Sequence, residues 1–294
     1  MIATLLTIIA PVFITAGIGF VWARLGRRFD VDMVTLLVTN VGAPCLVFHT
    51  LANLKISAIA FGEVALATAA VMAVTSVVGA AGLFAAGLSR RAFLPVLMFP
   101  NSGNMGLPLC LLAFGDVGLA LAIGVFTTNM VGNFTVGVAL ASGSVSWRNL
   151  AKVPVLYVLP VAIAFMVTGT TPPTWVNATT ELVGALTIPL MLITLGVSLA
   201  KLTVRSLGLG VALAVGRLAL GFGAGLLVAW AFDLQGVARG VVILQSSMPV
   251  AVFNFLFAQW YDNRPSDVAG TVVISTALAF LILPALLWFV LEGP

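Results

Sequence analysis

The residues best suited to do chemistry are neutral. Asn101, Ser102 and Asn104 lie between Pro100 and Pro108, with Gly103 and Gly106 among them, inside an otherwise apolar run over 92–114. A second cluster, Gln245, Ser246, Ser247 and Pro249 with Asn254 following, interrupts another apolar run. Amides and hydroxyls of this kind bind ligands through hydrogen bonds, and no nucleophile and base pair stands among them. Arg217 is the one charge near the middle of an apolar segment. It costs roughly 2.5 to 3.5 kcal/mol there on insertion scales, so it faces protein or water. Two roles stay open for it: neutralising a carboxylate, or capping carbonyls freed by the broken runs. Hydrolytic chemistry lacks its parts. There is no H-E-x-x-H pair, no G-x-S-x-G elbow and no midspan carboxylate pair, and the only histidine, His49, has no evident nucleophile beside it. Cys45 and Cys110 have no partners at metal-ligand or disulfide-framework spacing, so no metal or cofactor is expected. The pattern is that of a binding site and not of an enzyme.

What must hold these residues is a broken helix. Each proline removes a backbone donor and each glycine weakens a helix, so residues 99–108 leave several amides and carbonyls without intrahelical partners. Hydrocarbon cannot satisfy them. Irregular backbone at bilayer depth persists only where protein surrounds it or where it lines a wet cavity, which makes both interruptions candidate sites. Pro108 is expected in the first turn of a new half-helix, a position proline favours. A plain proline kink is the alternative, but it needs one proline and not ten disrupted residues.

Bilayer depth follows from composition. Charged residues make up 7% and apolar residues 61% of the 294-residue chain, against roughly 25% and 45 to 50% in a soluble domain. The chain is predicted to be an all-α, multi-pass membrane protein forming one transporter domain over residues 1–294. Ten apolar segments, at about 2–23, 33–54, 60–88, 92–114, 117–142, 153–169, 175–200, 206–232, 236–260 and 267–291, approach the ~20 residues a spanning helix needs. The first lacks a basic n-region and an A-x-A-like site, so it is read as a span and not as a signal peptide. A net charge of +4 without a basic arm or stripe argues against nucleic acid as a partner and reports topology instead. With the N-terminus outside, Arg24, Arg27, Arg28, Arg90, Arg91, Arg148, Lys152, Lys201, Arg205 and Arg264 all fall in cytoplasmic connections. Only Lys55 and Arg239 fall outside, so both termini are expected outside an inner (plasma) membrane. Trp22, Trp175, Trp230, Trp260 and Trp288 sit near predicted span ends as interface anchors.

The two halves, 1–148 and 149–294, resemble each other in order. Val64-Ala65-Leu66-Ala67 recurs as Val211-Ala212-Leu213-Ala214, Pro44 matches Pro189, Pro100 matches Pro249 and Thr127-Thr128 matches Ser275-Thr276, all at offsets of about 147 residues. Five segments per half is odd, so the halves enter the membrane in opposite senses. An inverted repeat with one interrupted segment in each half is the pattern of a secondary transporter whose site lies where the breaks meet.

Asn101-Ser102-Gly103-Asn104-Met105-Gly106-Leu107-Pro108, the interrupted run around Pro249 and the closing stretch from Ser275-Thr276 to Pro284 together resemble the auxin efflux carrier family in its short bacterial form, which includes malonate and malate permeases. The resemblance covers the whole chain. It implies the fold of the bile acid:sodium symporters: ten helices, a scaffold from helices one, two, six and seven, and a moving core in which interrupted helices four and nine cross around Pro100 and Pro249. It further implies that Asn101 or Asn104, Asn129 and Asn254 meet a substrate carboxylate, and that two copies pair through the scaffold.

The expected function is a carrier for small organic anions, mono- or dicarboxylates, working by alternating access within the lipid bilayer. The expected substrate contacts are Asn101, Ser102, Asn104, Asn129, Arg217, Gln245, Ser246 and Asn254. No predicted span holds a carboxylate near its centre, and none lies between Arg239 and Asp262, so transport is expected to need no obligatory sodium ion or proton. A sodium- or proton-coupled symporter of the same fold and a membrane ligand sensor are the rival readings. A channel is disfavoured because rings of like charge and repeated filter glycines are absent.

Overall fold

A computed structural model describes residues 2–53, 57–142, 153–202 and 206–292. Of the residues that argued for topology, Lys55, Arg148, Lys152 and Arg205 lie outside them, as does the boundary between the two halves. Described elements are helical: α1 (Ile2–Arg24), α2 (Val31–Asn53), α3 (Ala58–Ala85), α4 (Arg90–Met98), α5 (Ser102–Ser142), α6 (Val155–Thr168), α7 (Thr174–Lys201), α8 (Leu207–Ala231), α9 (Gly236–Ser246), α10 (Val252–Trp260) and α11 (Pro265–Glu292). Asp30, Ser57 and Ser89 cap the starts of α2, α3 and α4 by accepting from the amides of Met33, Ile59 and Ala92.

Seven of these helices, α1, α2, α3, α5, α7, α8 and α11, are long and apolar enough to cross a membrane. The chain is an all-α membrane protein. The difference from ten predicted segments has physical causes. The run over 92–114 breaks into α4 and the first part of α5, and the run over 236–260 breaks into α9 and α10. Apolar residues 153–169 give only the 14-residue α6.

A 41-residue α5 would be about 60 Å long if straight, twice the ~30 Å hydrocarbon thickness. It doubles back at Gly115, whose φ of 66° and ψ of −157° lie outside any helix. Without a Cβ, glycine adopts this conformation freely. The fold-back is tight: a Cβ on Gly118 would lie 2.6 Å from the carbonyl of Cys110, eight residues earlier. Regular α-helix begins again at Leu107 after a π-turn over Ser102–Gly106, with Pro108 in its first turn as predicted.

Packing divides the helices into two groups. In one, α1 lies along Thr187–Lys201 of α7, while Ala43–Asn53 of α2 packs on α6 and on Thr174–Ala185 of α7. In the other, α3, α4, α5, α8, α9, α10 and α11 pack on one another. The groups meet where Ser102–Gly106 packs on α7, where α1 touches α5 and α11, where Ala43–Asn53 of α2 touches α5, and where α3 touches α6. All five tryptophans expected as anchors are exposed, Trp230 most of all at 80%.

Without a hydrophobic drive between helices in lipid, close packing of small residues holds them together. α1 and α7 interlock through glycine: a Cβ on Gly196 would run into the Ala16 carbonyl and one on Gly19 into the Ile193 carbonyl, whereas one on Gly17 would meet nothing within 4 Å. Gly196→Ala is therefore expected to lower stability by roughly 1 to 3 kcal/mol through overpacking. Gly17→Ala, the same chemical change, should leave the thermal midpoint in detergent unchanged.

Candidate functional site

The two interruptions repair each other. At the first, Phe99 and Asn101 leave helical geometry, with ψ values of 109° and 60°. Pro100 pairs antiparallel with Val250 of the second interruption. The Asn101 amide donates to the Pro249 carbonyl at 2.7 Å, and the Ala251 amide donates to the Phe99 carbonyl at 3.2 Å. The Val250 amide finds the Ser275 hydroxyl at 3.1 Å. Of the amides that helix breaking would orphan in hydrocarbon, those of Asn101 and Ala251 are thus satisfied by the opposite break and that of Val250 by α11.

Carbonyls at the break are satisfied by Arg217. Its guanidinium is fully buried on α8 and donates from Nη1 to the carbonyls of Leu97 at 2.6 Å and Met98 at 3.4 Å. Nη2 donates to Ser246 at 2.6 Å and Nε to Met248 at 3.3 Å. α4 and α9 both end at this one cation, which suits the negative ends of their dipoles. Of the two roles the sequence left open, the geometry is that of capping.

Beyond the break lies a cavity of about 260 Å³ between the two packing groups. Pro100, Asn101, Ser102, Gly103, Asn104 and Asn129 line it, as do Ala251, Val252 and Phe253 at the start of α10. The first turns of α5 and α10 therefore present their positive ends to it, while the negative ends of α4 and α9 point to Arg217. Phe126, Met130, Phe134 and Met191 supply apolar wall. Asp32 and Lys201 are the ionisable side chains of the lining, and both are exposed at its edge.

Of the predicted contacts, Asn101, Ser102, Asn104 and Asn129 line this cavity, and Arg217, Gln245, Ser246 and Asn254 do not. Ser246 turns its hydroxyl back to the Val242 carbonyl, and Nδ2 of Asn254 donates to the Phe99 carbonyl at 3.3 Å. Gln245 is buried against Gly106, where a Cβ would collide with its carboxamide. Gly106 and Pro108 shape the turn without entering the lining. Sequence reasoning missed Asn133, Thr194 and Ser198, which do line it. The signal was present: Asn133 follows Asn129 by four, and Ser198 follows Thr194 by four, spacings that share a helix face. His49 lies elsewhere, with Nδ1 3.0 Å from Oδ1 of Asn177, a bond between α2 and α7.

A helical membrane protein with paired helix breaks beside a largely apolar cavity dotted with amides and hydroxyls has the features of a transporter, and comparison with known proteins agrees. Residues 138–287, about half of the chain, match the membrane transport protein family. The chain belongs to this family, that of the auxin efflux carriers. It is similar to an uncharacterized transporter of Methanocaldococcus jannaschii, 25% identical over 210 residues that make up 67% of each chain.

Arg217→Gln is expected to leave several buried carbonyls without donors, at about 1 to 3 kcal/mol each, and to lower the thermal midpoint in detergent sharply. Arg217→Lys keeps the charge but loses the planar fork, so it should fall between. An Arg217→Gln protein that melts like the wild type would show that the breaks do not depend on this cap.

Proposed function

We propose that the protein is a secondary carrier for small organic anions, mono- or dicarboxylates, working by alternating access at the cavity beside the paired breaks. The observation that carries this reading is the convergence of two helix N-termini and the amides of Asn101, Asn104 and Asn129 on one cavity between two separately packed groups of helices. Donors and positive dipole ends suit a carboxylate.

In this reading the chain makes ten spans as a 5+5 inverted repeat, 1–148 and 149–294. The interrupted fourth and ninth spans cross at Pro100 and Pro249, and α1, α2, α6 and α7 form the scaffold through which two copies pair. With both termini outside an inner membrane, the cavity edge at Asp32 and Lys201 adjoins the cytoplasmic, basic connections. The conformation is then inward-facing. The core group, which carries both breaks, is the part that moves against the scaffold.

The lining offers amides, hydroxyls and apolar surface and places its one carboxylate, Asp32, at the exposed edge. This supports transport driven by the anion gradient and the membrane potential alone. For one net negative charge the potential contributes about 2.3 kcal/mol per 100 mV, favouring exit from an inside-negative cell nearly fiftyfold. In proteoliposomes loaded with radiolabelled carboxylate and clamped with potassium and valinomycin, efflux should quicken as the interior is made negative and ignore sodium at fixed pH. Asn101→Ala should weaken binding roughly tenfold to a hundredfold while the protein stays folded. A strict need for a sodium gradient, or flux that stops when the pH gradient collapses at constant voltage, would favour the coupled symporter. Binding without flux would favour a sensor.

A further inference from the structure

Threonines inside the spans of this protein ordinarily close on their own helix. Thr68, Thr127, Thr271 and Thr276 each donate to the carbonyl four residues back, at 2.7 to 2.8 Å. Thr194 on α7 does not. Its hydroxyl is buried without a partner, although the side chain lines the cavity and is only 6% exposed. A helical hydroxyl that forgoes a neighbouring carbonyl in apolar surroundings gives up a bond that its own backbone offers, and buried polar groups rarely stay unpaired.

The core group holds a matching atom. Nδ2 of Asn101 is also buried without a partner, while Oδ1 of the same side chain accepts from the Asn104 amide at 3.2 Å. Asn101 is 4% exposed and lines the same cavity, and the Ser102–Gly106 turn that follows it packs directly on Thr187–Lys201. One donor is thus held by each packing group. The unpaired Oδ1 of Asn133 does not compete with them, since it is turned toward the backbone of Gly137, where a Cβ would lie 2.6 Å away.

Resting on the carrier reading above, we propose that the bound carboxylate bridges the two groups, with one oxygen accepting from Nδ2 of Asn101 and the other from the hydroxyl of Thr194. A carboxylate has two acceptor oxygens and no donor, which is what two unpaired donors require. Thr194 is then a binding residue contributed by the scaffold. The anion tethers core to scaffold in this conformation, and movement of the core must break the bond to Thr194. A neutral amide or ester of the same acid replaces one charged acceptor with a weaker one or with a second donor, so selectivity for the ionised acid arises at this bridge.

The experiment is equilibrium binding of radiolabelled acetate, benzoate, malonate and malate to the purified full-length protein, continued with the tightest of the four. Thr194→Val keeps the side-chain shape and removes the hydroxyl, and its Kd should rise roughly tenfold to a hundredfold. Thr194→Ser should recover most of that loss. Thr187→Val is the control: its hydroxyl is equally buried and unpaired, but it sits against Gly42 outside the cavity, and Kd should not change. In the double variant with Asn101→Ala the two losses should fall short of additive, because both act on one carboxylate. Wild-type affinity in a folded Thr194→Val protein overturns the bridge and leaves the carrier reading standing. Failure of the wild type to bind any of the four acids overturns both. Should Thr194→Val not fold, Thr194→Cys with Cys45 and Cys110 replaced by alanine reads the same contact by alkylation. Saturating carboxylate should protect Thr194→Cys, and equal labelling with and without it overturns the bridge.

Discussion

The structure depends on peptide groups that cannot be left alone in a bilayer: the amides and carbonyls of two helix breaks. Each break would be prohibitive by itself, because hydrocarbon offers no hydrogen bonds to peptide groups that have left a helix. Placed side by side in antiparallel register at Pro100 and Val250, they satisfy the amides of Asn101 and Ala251, while Ser275 takes that of Val250 and Arg217 takes the carbonyls of Leu97, Met98, Ser246 and Met248. The irregular backbone a ligand needs is thereby made compatible with the membrane.

This arrangement also sorts charge. Four half-helices meet at the break, two ending and two beginning. The ends face the Arg217 guanidinium and the beginnings face the cavity, so that group is spent on the protein's own dipoles, and beside the breaks the cavity receives only partial positive charge, with Lys201 and Asp32 at its exposed edge. A full charge beside the breaks would bind an anion more tightly but would also hold it. In the proposed carrier, partial charges and neutral amides would let an anion be taken up and released, which is what transport requires and storage does not.

How far the sequence could be read follows from the kind of signal each feature leaves. The break over 99–108 was legible because proline and glycine act through backbone chemistry that no tertiary context repeals. Membrane residence was legible from composition. Arg217 was conspicuous, but its role was not readable, since one guanidinium serves a carbonyl or a carboxylate equally well; only the directions of its four hydrogen bonds distinguish them. Gln245, Ser246 and Asn254 lie off the cavity lining for another reason. Polarity near a break marks proximity to it, and which side of the break a side chain faces depends on helix rotation, which is set by packing. Thr194 and Ser198 were passed over because a threonine or serine in a membrane helix usually serves its own backbone, so their i,i+4 spacing alone does not single them out.

The pairing of Asn101 with Pro249 has a consequence for how the chain is made. The two residues are about 150 positions apart, so at ~5 to 20 residues per second the first break emerges from the ribosome roughly 7 to 30 s before its partner exists. For most of that interval its peptide groups have neither the opposing break nor Arg217, and they must stay hydrated at the membrane face or be sheltered by the insertion machinery. The N-terminal half is therefore a dependent intermediate in biogenesis, settled in the bilayer only once the C-terminal half arrives to complete it.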